Sequence, residues 1–342
     1  MARYLVTGGA GFIGSHLVDA LLARGHSVRV LDDLSTGRIE NLPTGCMLLR
    51  GDVADPESVH RAMQGVAGCF HLAAVASVAR ANEDWLGTHR TNQMGTVVVL
   101  DEARRLGGIS VVYASSAAVY GEIAGIARED LSPAPLTAYG ADKLGSELHA
   151  RVATRVHGVP TLGLRFFNVY GPRQDPSSPY SGVISLFADA IGAGRPVRIH
   201  GDGHQSRDFV FVADVVAHLI AAMARLEGSS LGGTRLGESW HRENGADAAM
   251  PLVANVCTGQ ETSVLQLAHA LGKACGRTAA VVHAAARPGD IRRSVGSPAL
   301  AIAHLAVQAR IPLDKGLAAT LSGPAVAASP SAASAGASRA VA

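Results

Sequence analysis

Thr7-Gly8-Gly9-Ala10-Gly11-Phe12-Ile13-Gly14 follows the apolar run Tyr4-Leu5-Val6 and precedes a stretch with helical periodicity. That order opens a βαβ unit. Glycines permit a tight turn and let the backbone approach a pyrophosphate, whose charge is favoured by free N–H groups at a helix N-terminus. A glycine-rich turn alone also fits a plain strand-to-helix loop, so its surroundings decide. The next apolar run, Ser27–Leu31, ends in Asp32-Asp33. An acid there accepts from ribose hydroxyls and repels the extra phosphate of NADP, which favours NAD; Asp33 can instead cap the turn that follows. Gly8, Gly11, Phe12, Ile13, Gly14 and Asp32 are the first candidate cofactor residues. After a third run, Cys46–Arg50, Asp52-Val53 is positioned to meet an adenine ring, unless Asp52 is only a turn residue.

The alternation continues outward from this unit. Strands are predicted at Tyr4–Thr7, Ser27–Leu31, Cys46–Arg50, Gly68–Leu72, Ile109–Ala114 and Thr161–Arg165, and helices at Gly14–Arg24, Pro56–Met63, Gly95–Leu106 and Gly140–His157. Such repeats give an α/β fold with a Rossmann-type, doubly wound parallel sheet covered on both faces. Past Phe167 the regularity gives way to the Gly/Pro/Ser-rich Gly171–Gly182, then to pieces of no repeated period. These read as a smaller mixed α/β C-terminal substrate lobe. The expected boundaries are 1–167, with returning segments near 205–225 and 251–258, for the nucleotide domain, and 168–204 with 259–316 for the lobe. A helical run ends near Arg225, residues 227–251 read as a loop insertion, and 317–342, without bulky side chains, as a disordered tail.

A chain of 342 residues can bury a substantial core. Its 48% hydrophobic and 17% charged residues and 39 glycines suit an α/β protein and exclude a disordered one. Thirty basic against 28 acidic residues leave a net charge of +2, so no footprint for nucleic acid or a membrane surface stands out. A small anionic ligand needs only local charge. Cys46, Cys69, Cys257 and Cys275 lie far apart without a C-x-x-C pairing, which argues against zinc and a disulfide framework; they read as ordinary buried thiols. No leader-like or membrane-length apolar stretch is present, and a cytoplasmic location is expected.

Tyr139-Gly140-Ala141-Asp142-Lys143 places a phenol and an ammonium four residues apart, on one face of a helix. A free tyrosine, with a pKa near ~10, is a poor base at neutral pH, and a cation held close lowers it. Alone, the pair reads as an ordinary helix face; beside a dinucleotide turn it reads as proton-transfer machinery. Ser115-Ser116 close the fifth predicted strand, at the edge where open α/β sheets bind ligands.

TGGAGFIG, LDDLSTG, GDV, HLAA and YGADK, in this order, resemble the extended short-chain dehydrogenases/reductases of the NAD-dependent epimerase/dehydratase family over roughly residues 3–315, and within it the UDP-hexose 4-epimerases. The resemblance implies bound NAD touched by Leu72, Ala73, Ala74, Tyr139 and Lys143, with Asp52 and Val53 at the adenine and Asn92 near the nicotinamide end. It implies that Ser116 hydrogen-bonds the sugar and helps pass its proton to Tyr139, with Ser115 structural or the two exchanging roles. Asn168 would bind the substrate diphosphate, Arg207 and Arg287 would clamp it, and Asp290 would lie near the nucleoside ribose. Ser294 matches a position where a bulky tyrosine marks glucose-only enzymes; a small residue admits a 2-acetamido group.

Ala117-Ala118 stand where the family's dehydratases carry an acid, often Asp-Glu, and its decarboxylases a Glu. Without a carboxylate, water elimination lacks its acid and base, and reversible hydride transfer remains. The implied activity is 4-epimerisation of a UDP-sugar, UDP-glucose/UDP-galactose or also UDP-GlcNAc/UDP-GalNAc, in a homodimer built through Gly95–Leu106 and Gly140–His157. Two rival readings stand. One is a UDP-glucuronate epimerase or another nucleotide-sugar oxidoreductase or dehydratase. The other is an NAD-binding sensor, although such proteins usually lose the Tyr or Lys kept here. Pro298–Val307 departs from the pattern, lacking the aromatic residue and charged helix expected after Arg287-Pro288-Gly289-Asp290.

Overall fold

Within Arg3–Thr7 (β1), Tyr4 and Val6 enter one hydrophobic cluster and Leu5 the other, the period of two that a strand covered on both faces requires. The computed structural model describes residues 1–174, 182–231, 253–286 and 291–322. After β1 come α1 (Phe12–Ala23), β2 (Ser27–Asp32), β3 (Met47–Arg50), α2 (Pro56–Met63), β4 (Gly68–His71), α3 (Val78–Glu83), α4 (Trp85–His89), α5 (Gly95–Arg105), β5 (Ser110–Ser116), α6 (Ala138–His157) and β6 (Thr161–Phe166). Then follow β7 (Asn168–Tyr170), α7 (Val183–Gly192), β8 (Val197–His200), β9 (Ser206–Arg207), β10 (Phe209–Phe211), α8 (Val212–Leu231) and β11 (Val253–Val256). The last are β12 (Thr262–Ser263), α9 (Val264–Ala274), β13 (Val281–Ala284), β14 (Arg293–Ser294), α10 (Ala299–Leu305) and α11 (Leu313–Ser322).

Seven strands form a parallel sheet in the order β11-β6-β5-β4-β1-β2-β3. This is the Rossmann-type sheet the alternation predicts. The order reverses between β1 and β4, and at such a point a crevice opens beyond the carboxyl ends of the strands. From α1 and α8, Leu17, Leu21, Val215, Leu219 and Met223 cover Val6, Val30, Phe70, Val112 and Leu164. From α2, α5 and α6, Val59, Met63, Val99, Leu100, Ala150 and Ala153 cover Leu5, Leu31, Cys69, Val111 and Tyr113.

The remaining strands make three small sheets: β10 with β7, β12-β9-β14, and β13 with β8. They share a core of Tyr170, Phe187, Ile191, Ile199, Phe211, Leu267 and Leu271. Fully buried Asp208 pins them to the end of the main sheet. Its Oδ1 accepts from the Thr258 amide at 2.8 Å and hydroxyl at 2.6 Å, and its Oδ2 from the Gly259 amide at 2.8 Å.

Several expectations need correcting. The segment near 205–225 does not return as one piece: Ser206–Phe211 pair within the small sheets, while α8, with Val210 of β10, packs against the main sheet. Residues 227–231 are helical and not loop, because the Tyr4 hydroxyl donates to Glu227 Oε1 at 2.5 Å and Leu226 is buried, which carries α8 to Leu231. Residues 317–322 belong to α11 and not to a tail, since Leu317 is fully buried. The rest of both segments lies outside the described residues. Cys69 and Cys257 are buried, whereas Cys46 and Cys275 are only half-buried; all four are free. Pro298–Val307 docks without an aromatic residue: Ala301 and Leu305 of α10 are buried in the cluster beneath α8. Among the described residues no helix is long and apolar enough to cross a membrane.

Candidate active site

Gly8 sits at φ +69°, and a Cβ there would stand 2.7 Å from the Ala73 amide nitrogen. Only glycine lets β1 end so close to the chain leaving β4. Gly14 is needed for the same kind of reason, since its Cβ would lie 2.2 Å from the Gly8 carbonyl oxygen. No side chain caps α1, whose N-cap is Gly11, so its first amides stay available to an anion. The Asp32 carboxylate accepts from the Ala10 amide at 2.9 Å and the Leu34 amide at 2.9 Å, locking the turn to the end of β2. Burial raises its pKa, and these bonds oppose the rise. Asp33 accepts instead from the Ser35 amide and hydroxyl, the local turn cap that was its alternative reading.

Behind the turn runs a chain of hydrogen bonds. Thr7 Oγ1 accepts from the Leu72 and Ala73 amides, each at 3.2 Å, which leaves its proton for His71 Nδ1 at 2.9 Å. His71 Nε2 then donates to Thr96 Oγ1 at 3.1 Å, and Thr96 donates to the Asn92 carbonyl at 2.6 Å. Burial, aided by the charge of Lys143, lowers the His71 pKa to about 3, so the ring is neutral, as this bonding requires. The Asn92 side chain is buried and clasps Val75, accepting from its amide at 2.8 Å and donating to its carbonyl at 3.2 Å. Asn92 therefore shapes the loop beyond β4 and does not itself line the cavity described below.

Ser116 ends β5 and Tyr139 lies in the first turn of α6, which Thr137 caps by accepting from the Gly140 amide at 3.0 Å. A Cβ on Gly140 would meet the Ala118 carbonyl oxygen at 2.6 Å, so glycine after the tyrosine lets the helix close on the turn after Ser116. Tyr139 and Ser116 are neighbours, and both line the cavity described below. Lys143 Nζ donates to the Ala114 carbonyl at 2.9 Å and lies 5.9 Å from the Tyr139 ring centroid. Lys143 does not bring the phenol below its ordinary range. Burial pushes the Tyr139 pKa up, opposed by the neighbouring Ser116 hydroxyl, while the ammonium is held on Ala114 and is itself pushed down to about 8 by burial, with Asp142 opposing. Ser115 is turned away from this pair and donates to Glu147, which also holds Arg165 in a buried ion pair.

One cavity of about 940 Å³ joins these parts, near the upper end of the ~300–1,000 Å³ common for small-molecule sites. Its walls include Gly8, Gly11, Phe12, Ile13, Gly14, Asp32, Asp52, Val53, Leu72, Ala73, Ala74, Ser116, Tyr139 and Lys143. Asp52 Oδ1 accepts from the Ala54 amide at 2.8 Å, and its other oxygen pairs with Arg90. Glycine cradle, uncapped helix and carboxylate at the end of β2 together fit a dinucleotide. Asn168, Arg207 and Ser294 are not among the walls. Asn168 stands between two residues that are, Phe167 and Val169, while Arg207 and Ser294 are register partners in β9 and β14. Arg287 and Asp290 lie outside the described residues. Sequence reasoning missed Arg38, Arg80, Arg90 and Arg173, which also line the cavity; a net charge near zero carries no trace of them.

The profile of the NAD dependent epimerase/dehydratase family matches residues 4–234. The chain belongs to this family. Within it, the chain is 37% identical over 327 residues to the UDP-glucose 4-epimerase of Mycolicibacterium smegmatis, covering 93% of this chain and 97% of that one. Among solved structures, it resembles the UDP-glucose 4-epimerase of Thermotoga maritima with UDP-glucose, at a TM-score of 0.83 and 34% identity. It also resembles the Thermus thermophilus UDP-glucose 4-epimerase in complex with NAD, at 0.81 and 36%. Both comparisons cover 93% of this chain and 97% of the other.

Proposed function

We propose that the protein is an NAD-dependent UDP-sugar 4-epimerase that interconverts UDP-glucose and UDP-galactose. The observation that carries this reading is that Ser116, Tyr139 and Lys143 line the same cavity as the glycine turn. NAD bound at that turn supplies a reversible hydride acceptor for sugar carbon 4. Ser116 and Tyr139 handle the proton of the 4-hydroxyl, and Lys143 supplies the positive charge that a buried phenolate needs. Asn168, Arg207, Arg287 and Asp290 are assigned to the nucleotide end of the substrate, and Ser294 to the sugar pocket, where its size also admits UDP-GlcNAc and UDP-GalNAc. Asn92 is assigned to the cofactor site through Val75.

Dehydration is disfavoured by the same walls. Among the described residues the cavity's carboxylates are Asp32 at the end of β2, Asp33 and Asp52 on the loops beyond β2 and β3, and Asp84 before α4; Ala117 and Ala118 follow Ser116. Among the described residues, none of these four carboxylates follows Ser116, where elimination would need one. We assign the protein to a homodimer through α5 and α6, because Leu148, Val152 and Val156 lie at helical spacing along α6 and are 54%, 48% and 69% exposed. Four free cysteines suit a reducing cytoplasm. The test is incubation with UDP-glucose and with UDP-GlcNAc, without added reductant, followed by NMR of the anomeric protons. Galacto isomers are expected, and Tyr139→Phe should abolish them. A 4-keto-6-deoxy product, or unchanged sugars with both, would overturn the reading.

A further inference from the structure

Arg173 is left unexplained by these assignments. Its backbone holds φ +66°, a left-handed conformation that costs a side-chain-bearing residue roughly 1–2 kcal/mol and that glycine adopts freely. Two residues of α1, three positions apart and so on one face, hold the strained turn in place. His16 Nε2 hydrogen-bonds the Pro172 carbonyl at 3.0 Å, and the Asp19 carboxylate forms an ion pair with Arg173 Nη2 at 2.7 Å. The Phe12 and His16 rings meet edge to face at 6.0 Å, so this clamp begins one helical turn beyond the glycine turn.

The Arg173 side chain, 28% exposed, lines the same cavity as Gly11 and Gly14. Its Nη1 is buried and has no hydrogen-bond partner among the described residues. An unmet buried donor costs ~1–3 kcal/mol, more when charged. A strained backbone, a carboxylate that orients one nitrogen and a second nitrogen left unspent make sense together if a ligand takes that second nitrogen. A planar cationic donor in a cavity that already offers helix amides suits phosphate oxygens.

We propose that Arg173 is a diphosphate-binding residue, aimed by Asp19 and the strained turn, whose Nη1 donates to a nucleotide in this cavity. The inference deepens the function proposed above and rests on it. Two diphosphates meet the description, that of the dinucleotide and that of the sugar nucleotide, and binding measurements separate them without requiring turnover.

Equilibrium dialysis of the full chain against NAD and, separately, against UDP would compare the unsubstituted protein with Arg173→Gln and Arg173→Gly. Arg173→Gly relieves the backbone strain while removing the donor. It is expected to melt no lower than the unsubstituted protein and still to lose tenfold or more in affinity for one nucleotide. Loss confined to NAD assigns the dinucleotide diphosphate, and loss confined to UDP assigns the sugar nucleotide. Asp19→Asn should weaken the same ligand to a smaller degree. Affinities for both nucleotides within twofold of the unsubstituted protein in both Arg173 variants would overturn the proposal, whether or not the protein epimerises any sugar.

Discussion

Lys143 is a cation buried in the protein, and its charge at working pH depends on what surrounds it. Burial pulls its pKa from 10.5 down to about 8, and the Asp142 carboxylate opposes that fall. The ammonium is therefore present below about pH 8 and lost above it. Between about 8 and 10.5 the unfolded chain holds more protons than the folded one, so this group's contribution to stability rises with pH across that window. If Tyr139 needs the cation, kcat/KM should fall on an alkaline limb near pH 8, and Asp142→Asn should move that limb to lower pH. A pH profile that Asp142→Asn leaves in place would show that Asp142 does no more than pair with His89, whose Nδ1 lies 2.7 Å from Oδ1. The spacing of Tyr139 and Lys143 was legible because four residues make one helical turn. The direction of their pKa shifts was not, because it follows from burial by distant segments. Asn92 was read as a ligand contact and not as a clasp on Val75, since nothing local distinguishes an amide that reaches a ligand from one that holds a loop.

At the scale of elements, β1 to β6 and the helices α1, α2, α5 and α6 could be read from the chain because period and turn chemistry agreed. The ends of α8 and α11 could not. Glu227-Gly228-Ser229-Ser230 has the composition of a loop, yet the helix persists where Tyr4 anchors Glu227. The small residues of α11 suggested a tail, but smallness is what its packing uses. A Cβ on Gly316 would meet the Tyr170 hydroxyl oxygen at 2.1 Å, so glycine lets the helix settle on that ring. The α5–α6 face makes a prediction at the same scale. If Leu148 and Val152 sit between two copies, Leu148→Asp with Val152→Asp should convert a dimer to a monomer in sedimentation. A monomeric unsubstituted protein would remove the dimer.

For the whole molecule, the reversal of strand order between β1 and β4 places the glycine turn, Asp32, Ser116 and the start of α6 around one cavity. Part of this gathering was legible, since the glycine turn, Asp32 and Ser116 were each expected at the carboxyl end of a parallel strand, whereas Tyr139 was placed only on a helix. The arginines facing the cavity were not, because Arg38, Arg80, Arg90 and Arg173 come from separate loops and helices and meet only in the folded chain. The central claim is that carbon 4 of the sugar loses and regains the same hydride inside this cavity. UDP-glucose deuterated at carbon 4, incubated with the protein in ordinary water, tests it most directly by NMR of the product. UDP-galactose that keeps deuterium at carbon 4 is the predicted result, whereas a galacto product carrying a proton there, or no galacto product, would contradict it.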